Sequence, residues 1–120
     1  MTLDPLLTNP DSYRLVVEND RVRVLGFEDV PTQVSSPHVH PDSVMVTLTA
    51  FSRRLHAGGR TRDVERVNGM AQWLPAQEHY GENIGATPTH VLFIELEDPP
   101  EGSIPVTPTV VGSGMPLGLA

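Results

Sequence analysis

Apolar and polar positions alternate along this chain in short runs, and no stretch sustains a helical period. The clearest run is HVLFIELE at 90–97. In an extended strand, His90, Leu92, Ile94 and Leu96 share one face, largely apolar, and Val91, Phe93, Glu95 and Glu97 share the other, which is amphipathic. Similar runs predict strands at 13–19, 21–30, near 33–39, 43–51, near 53–57, 61–67, 70–75 and 78–83. Asn19-Asp20 and Gly58-Gly59 fall where tight hairpins turn. Twelve prolines and ten glycines punctuate the pieces. Many short strands at near-even spacing predict an all-β fold, a closed barrel or jelly roll, because closure removes exposed strand edges.

At 120 residues the chain suits one domain. Its expected parts are an N-terminal arm at 1–12, holding an arm or a turn of helix in DPLLTNPDS, a barrel at 13–97 and a Pro/Gly-rich C-terminal tail at 98–120. The tail has little periodicity, which predicts a segment either mobile or laid over the barrel or a neighbouring subunit. No apolar run approaches the ~18 residues of a membrane span. The start, MTLDPLLTNPDSY, lacks the basic end and apolar middle of a signal peptide, so a cytoplasmic location is expected.

Charge and composition narrow the chemistry. A formal net charge of -7 argues against nucleic-acid binding, which depends on neutralising phosphates. All eight basic residues are arginine; Arg53, Arg54, Arg60, Arg62 and Arg66 fall in one stretch, expected to form a solvated hairpin face rather than a clamp for an anionic substrate. With no cysteine, disulfides, thiolate catalysis and cysteine-ligated metals are excluded, so a metal would rest on His, Asp or Glu.

Two of the five histidines stand one residue apart in PHVHPDSVMVTL, ahead of an apolar β-branched run. On a strand His38 and His40 point to one face and make half of a metal site. Thirty-nine residues after His40 comes His79, in GMAQWLPAQEHYGEN, where Gly69 is followed by five residues, Pro75, His79, three residues and Asn83. This pattern resembles the second conserved motif of the cupin family, a glycine, five residues, Pro-x-Gly-x-x-His, three residues and Asn, and His38-x-His40 after a proline resembles the first. The resemblance to a small single-domain cupin covers about residues 13–97. It implies a jelly-roll barrel holding one divalent metal in its mouth, with His38, His40 and His79 as ligands. Three neutral imidazoles suit Fe, Zn, Ni, Mn or Cu and leave positions open to water or substrate.

The departures from that family also carry information. Many cupins have a glutamate shortly after the second motif-one histidine; here the position falls at Val44 or Met45 by one count and at Ser43 by another, and the nearest carboxylate is Asp42. The resemblance then points to a three-histidine site like that of cupin dioxygenases acting on β-diketones or thiols. Gln77 replaces the motif-two glycine and brings an amide close. Candidate acid–base groups are Asp42, Gln77 and Tyr80, and whether Asp42 or Ser43 joins the site is open. His56 is expected at the surface, His90 in the core or at the rim, Trp73 and Tyr80 in packing, Glu78 and Glu82 exposed, and Asn83 at the turn before Gly85. The function classes are a small-molecule metalloenzyme, dioxygenase-like or a zinc isomerase or lyase, and a non-catalytic ligand- or metal-binding module. Apolar ends, with Leu3, Leu6 and Leu7 in front and Val110, Val111, Leu117 and Leu119 behind, predict a homodimer with arms reaching across.

Overall fold

The computed structural model describes residues 3–97. Within them the chain forms one helical turn, α1 (Pro5–Thr8), and nine strands: β1 (Tyr13–Glu18), β2 (Val22–Asp29), β3 (His38–His40), β4 (Ser43–Thr49), β5 (Phe51–Ala57), β6 (Arg60–Arg66), β7 (Ala71–Leu74), β8 (Gln77–Asn83) and β9 (Thr89–Leu96). All pairings are antiparallel. They make a five-stranded sheet in the order β1-β2-β9-β4-β7 and a four-stranded sheet in the order β3-β8-β5-β6. One core joins them: Leu25, Phe27, Met45, Val91 and Phe93 come from the first sheet, and Phe51, Leu55 and Val64 from the second. This is a jelly roll.

The turns follow their local chemistry. Asn19 Oδ1 accepts from the backbone N–H of Arg21 at 2.7 Å and of Val22 at 3.0 Å, so the side chain closes the β1–β2 connection. Gly58 and Gly59 both have positive φ, 57° and 74°, the backbone that a tight two-residue hairpin requires. Asp4 caps α1 by accepting from Leu6 N at 2.9 Å, with Pro5 in the first turn.

Two strand expectations need correction. The run at 43–51 is not one strand: the β4–β9 register shifts between Thr47 and Thr49, β4 ends at Thr49, and after Ala50 the chain enters the opposite sheet at Phe51. The segment near 33–39 is regular only at 38–40. Thr32 has φ 76°, and beyond it the backbone meets β8 through separate bonds from Ser35 N to Gly81 O and from Asn83 N to Gln33 O.

Residues 3–12 lie against their own barrel. Leu6 packs on the core, Leu3 O accepts from Val39 N, and Leu7 is left exposed. The tail at 98–120, including Val110, Val111, Leu117 and Leu119, lies outside the described residues. No helix among the described residues is long and apolar enough to cross a membrane.

Candidate metal centre

Pleat and register bring the three histidines together. His38 and His40 are the inward positions of β3, and His79 is inward on β8, directly opposite His38 in the ladder. Pro75 and His79 stand one residue closer than in the motif Pro-x-Gly-x-x-His, yet β8 starts only at Gln77 and its alternation still turns His79 inward. All three rings are buried, at 2 %, 1 % and 7 % exposure, and one nitrogen from each lies within 4.8 Å of the others.

Hydrogen bonds define which nitrogens are bare. His38 Nδ1–H donates to Ser36 O at 2.7 Å, and His40 Nδ1–H donates to Glu95 Oε2 at 2.8 Å, since neither oxygen has a proton to give. Both Nε2 atoms therefore carry lone pairs. They converge on one group: Tyr13 Oη stands 3.1 Å from His38 Nε2 and 3.2 Å from His40 Nε2. His79 Nδ1 is buried with no hydrogen-bond partner. Burial holds His40 and His79 well below the ordinary histidine value, and His38 below it, so all three are neutral at pH 7. Neutral, under-bonded imidazoles facing one another fit a cation, and this donor set suits a divalent transition metal.

A chain of charges leads inward from the partly exposed Asp4 and Arg23 to His40. Glu95, 2 % exposed, also accepts from Arg23 Nε at 2.8 Å, and Arg23 Nη1 reaches Asp4 Oδ2 at 2.7 Å. Burial pushes the Glu95 carboxyl up, and Arg23 opposes that shift. A carboxylate holding the far nitrogen of a ligand histidine sets the ring's tautomer and orientation. Asn9 does similar work for His38: its Oδ1 accepts from Ser36 N at 2.7 Å and its Nδ2 donates to Ser36 O at 3.1 Å, fixing the carbonyl that receives the His38 proton. Residues of the arm thus form the back of the centre.

The interior beside the histidines encloses about 40 Å³, lined by Tyr13, His38, Met45, Phe51, His79 and Val91 among others. That is room for about three waters or a ligand of a few atoms. His79 also lines an outer groove bordered by Pro37, Tyr80 and the Gly58-Gly59 turn.

The other named residues are distributed as follows. Ser43 and Met45 are inward on β4; Ser43 Oγ donates to Pro41 O at 2.6 Å, and Met45 lines the cavity. Asp42 is exposed at the rim, where its Oδ1 accepts from Ala76 N at 2.8 Å. Gln77 Nε2 donates to Pro75 O at 3.1 Å. Tyr80 alternates outward from His79 and stacks on His56, centroids 4.4 Å apart and planes 5° from parallel. His56 is accordingly half-buried rather than exposed, and Glu82, also half-buried, stands 3.3 Å from it. Glu78 is exposed, Trp73 is half-buried on the outward face of β7, and His90 stands 3.1 Å from Glu28 on the outside of β9. Asn83 Oδ1 accepts from Gly85 N at 3.0 Å, closing the turn.

Arg53 overturns an expectation. It is 6 % exposed, so the arginines do not form a single solvated face: Arg54 pairs with Asp63 outside, while Arg53 points in and pairs with Asp29. The cause is strand alternation, which puts Arg53 in phase with Phe51 and Leu55. Sequence reading also missed Tyr13, Glu95, Arg23 and Asn9. Glu95 carried a signal, since it lies in phase with Val91 and Phe93, and on β9 that amphipathic face is the inward one.

Comparisons place this architecture among known structures. The chain is 23% identical to a cupin domain from Bordetella pertussis Tohama I, covering 72% of this chain and 92% of that one with a TM-score of 0.68. It is 20% identical to a conserved protein with a double-stranded β-helix domain from Klebsiella pneumoniae, covering 70% of each chain with a TM-score of 0.57. With the polyketide cyclase RemF from Streptomyces resistomycificus it shares 22% identity over 85% of this chain and 72% of that one, at a TM-score of 0.53. No family model matches the sequence, and no curated protein does. The chain has the cupin fold, with a three-histidine group able to hold a metal ion.

Proposed function

We propose that this protein is a small-molecule metalloenzyme of the cytoplasm, holding one divalent transition metal per chain on His38, His40 and His79, and dioxygenase-like in its chemistry. The observation that carries the reading is the set of bare imidazole nitrogens: two Nε2 lone pairs with their Nδ1–H groups engaged elsewhere, facing a third ring with an orphaned nitrogen. A bound metal would supply Lewis acidity and, for iron, a redox centre able to take substrate and O2 together. Around it, Glu95 and Ser36 hold the ring tautomers, and Met45, Phe51 and Val91 keep the interior apolar. Asp42 at the rim, Gln77 and the outward-facing Tyr80 remain candidate acid–base groups.

Elemental analysis of chelator-free protein is the first test, with a metal near one per chain expected in wild type, none in His79→Ala and an unaltered content in His56→Ala. Anaerobic Fe(II) loading followed by oxygen uptake over diketones, thiols and catechol-like compounds tests the reaction class. Metal uptake without oxygen consumption favours the second reading, a zinc isomerase or lyase or a non-catalytic binding module. Two observations support that alternative: the interior is small, and a polyketide cyclase is among the structural neighbours.

Assembly as a homodimer belongs to the same proposal. β1 is an edge strand and leaves Leu15, Val16 and Val17 about half exposed, at 48%, 47% and 50%. Sedimentation at micromolar concentration tests it; a monomer there refutes it.

A further inference from the structure

The three-histidine reading, on which this inference rests, leaves the site without a charged donor, because β4 offers Ser43 and Met45 where an acidic ligand would stand. We propose that Tyr13 fills this role, its phenolic oxygen serving as a fourth protein donor delivered from β1 on the opposite sheet. Three features of the structure support it.

The first is distance. Metal bonds of about 2.0–2.1 Å place neighbouring donor atoms about 2.9 Å apart at a right angle and about 3.4 Å apart in a tetrahedron. Tyr13 Oη stands 3.1 Å and 3.2 Å from the two Nε2 atoms, within that interval for both at once. A phenol reaching only a metal-bound water would stand further from both nitrogens.

The second is proton count. Both Nε2 atoms bear lone pairs, and one hydroxyl proton serves only one of them. Among the described residues Tyr13 Oη has these two nitrogens as its hydrogen-bond partners. A cation satisfies both lone pairs and the oxygen together. The phenolic proton leaves to solvent as the oxygen–metal bond forms, as it does for any protic metal ligand.

The third is pre-organisation and the lack of a rival. The Tyr13 ring is held by Phe27 at 4.7 Å and Phe93 at 5.9 Å between centroids. The nearby oxygens are engaged elsewhere: Glu95 is held by Arg23 and His40 Nδ1, Ser43 Oγ by Pro41, and Asp42 by Ala76 at the rim.

The experiment compares wild type with Tyr13→Phe, which keeps the ring in the core. Each is loaded anaerobically with Fe(II), oxidised in air, and read by visible absorption and metal titration. Wild type is expected to show a phenolate-to-Fe(III) charge-transfer band, absent in Tyr13→Phe, with metal affinity at least about 10-fold weaker in the variant and still dependent on His79. Wild type that binds one iron per chain without the band overturns the proposal and leaves the three-histidine site standing. Equal or tighter binding by Tyr13→Phe does the same, showing that the phenol merely caps a nitrogen. Wild type that takes up no metal overturns both readings. Resonance Raman detection of phenolate modes in wild type decides the matter even where the variant does not fold.

Discussion

The barrel buries two polar clusters, and they differ in how fully they are satisfied. In one, Arg53 Nη1 donates to Asp29 Oδ2 and to Thr89 Oγ1, its guanidinium stands 5.0 Å from the centroid of the Phe27 ring, and Asn83 donates to Asp29 Oδ1 at 3.2 Å. Opposite charges meet and the bonds close within the cluster. In the other, His38, His40 and His79 are neutral, two lone pairs share one hydroxyl, and a third nitrogen has no partner. The two groups share one strand, since β8 carries His79 and Asn83 four residues apart. Buried polarity by itself does not mark a site: the satisfied cluster braces the barrel, and the unsatisfied one has capacity left for a ligand.

Substitutions test this contrast, beginning with the largest effect. Asp29→Ala leaves Arg53 charged and unpaired in the core, so denaturant unfolding should show a loss of about 3–5 kcal/mol, while folded protein still takes up metal. Unchanged stability would break the comparison on the structural side.

Acid acts selectively on the histidine cluster. Burial holds the folded values of His40 and His79 well below 6.5, whereas the unfolded chain titrates near 6.5. The unfolded state therefore binds more protons in acid. Stability of chelated protein is full above about pH 6.5 and falls below it by about 1.4 kcal/mol per histidine per pH unit, until the folded values are reached. Urea unfolding at about pH 7.5 and about pH 5.5 reads the difference.

Glu95→Gln removes the charge behind His40 and should weaken metal binding about 10–100-fold, measured by competition with a chromophoric chelator. His79→Leu gives the smallest change in stability and the most diagnostic one. It removes an unsatisfied buried nitrogen, so the metal-free protein should be more stable than wild type by about 1 kcal/mol while metal uptake is lost. A large destabilisation would mean that His79 is a structural residue.

Much of the fold and the grouping of three histidines was legible without coordinates. HVLFIELE, the Gly58-Gly59 turn and the i, i+2 spacing of His38 and His40 are local patterns, and local sterics translate them directly into strands, hairpins and a shared face. His79 was legible because its neighbours Pro75 and Asn83 formed part of a recognisable spacing. The break at the end of β4 was not, because Thr47–Phe51 continues the run with threonines alternating with Leu48, Ala50 and then Phe51, and only pairing with two different sheets divides it.

The sequence by itself determined an all-β chain, its principal turns, and three histidines with the spacing of a metal site. Tertiary structure decided which face of each strand is inside: Arg53 enters the core, Asp42 stays at the rim, and the amphipathic face of β9 turns inward with Glu95. It also brought Tyr13 to residues 25 and 27 positions away in the chain, and linked Asp4 through Arg23 and Glu95 to His40. The physical reason is the reach of the interactions. Propensity and alternation act between near neighbours, whereas the groups that surround the three histidines meet only when two sheets close over one another, and no local pattern encodes that meeting.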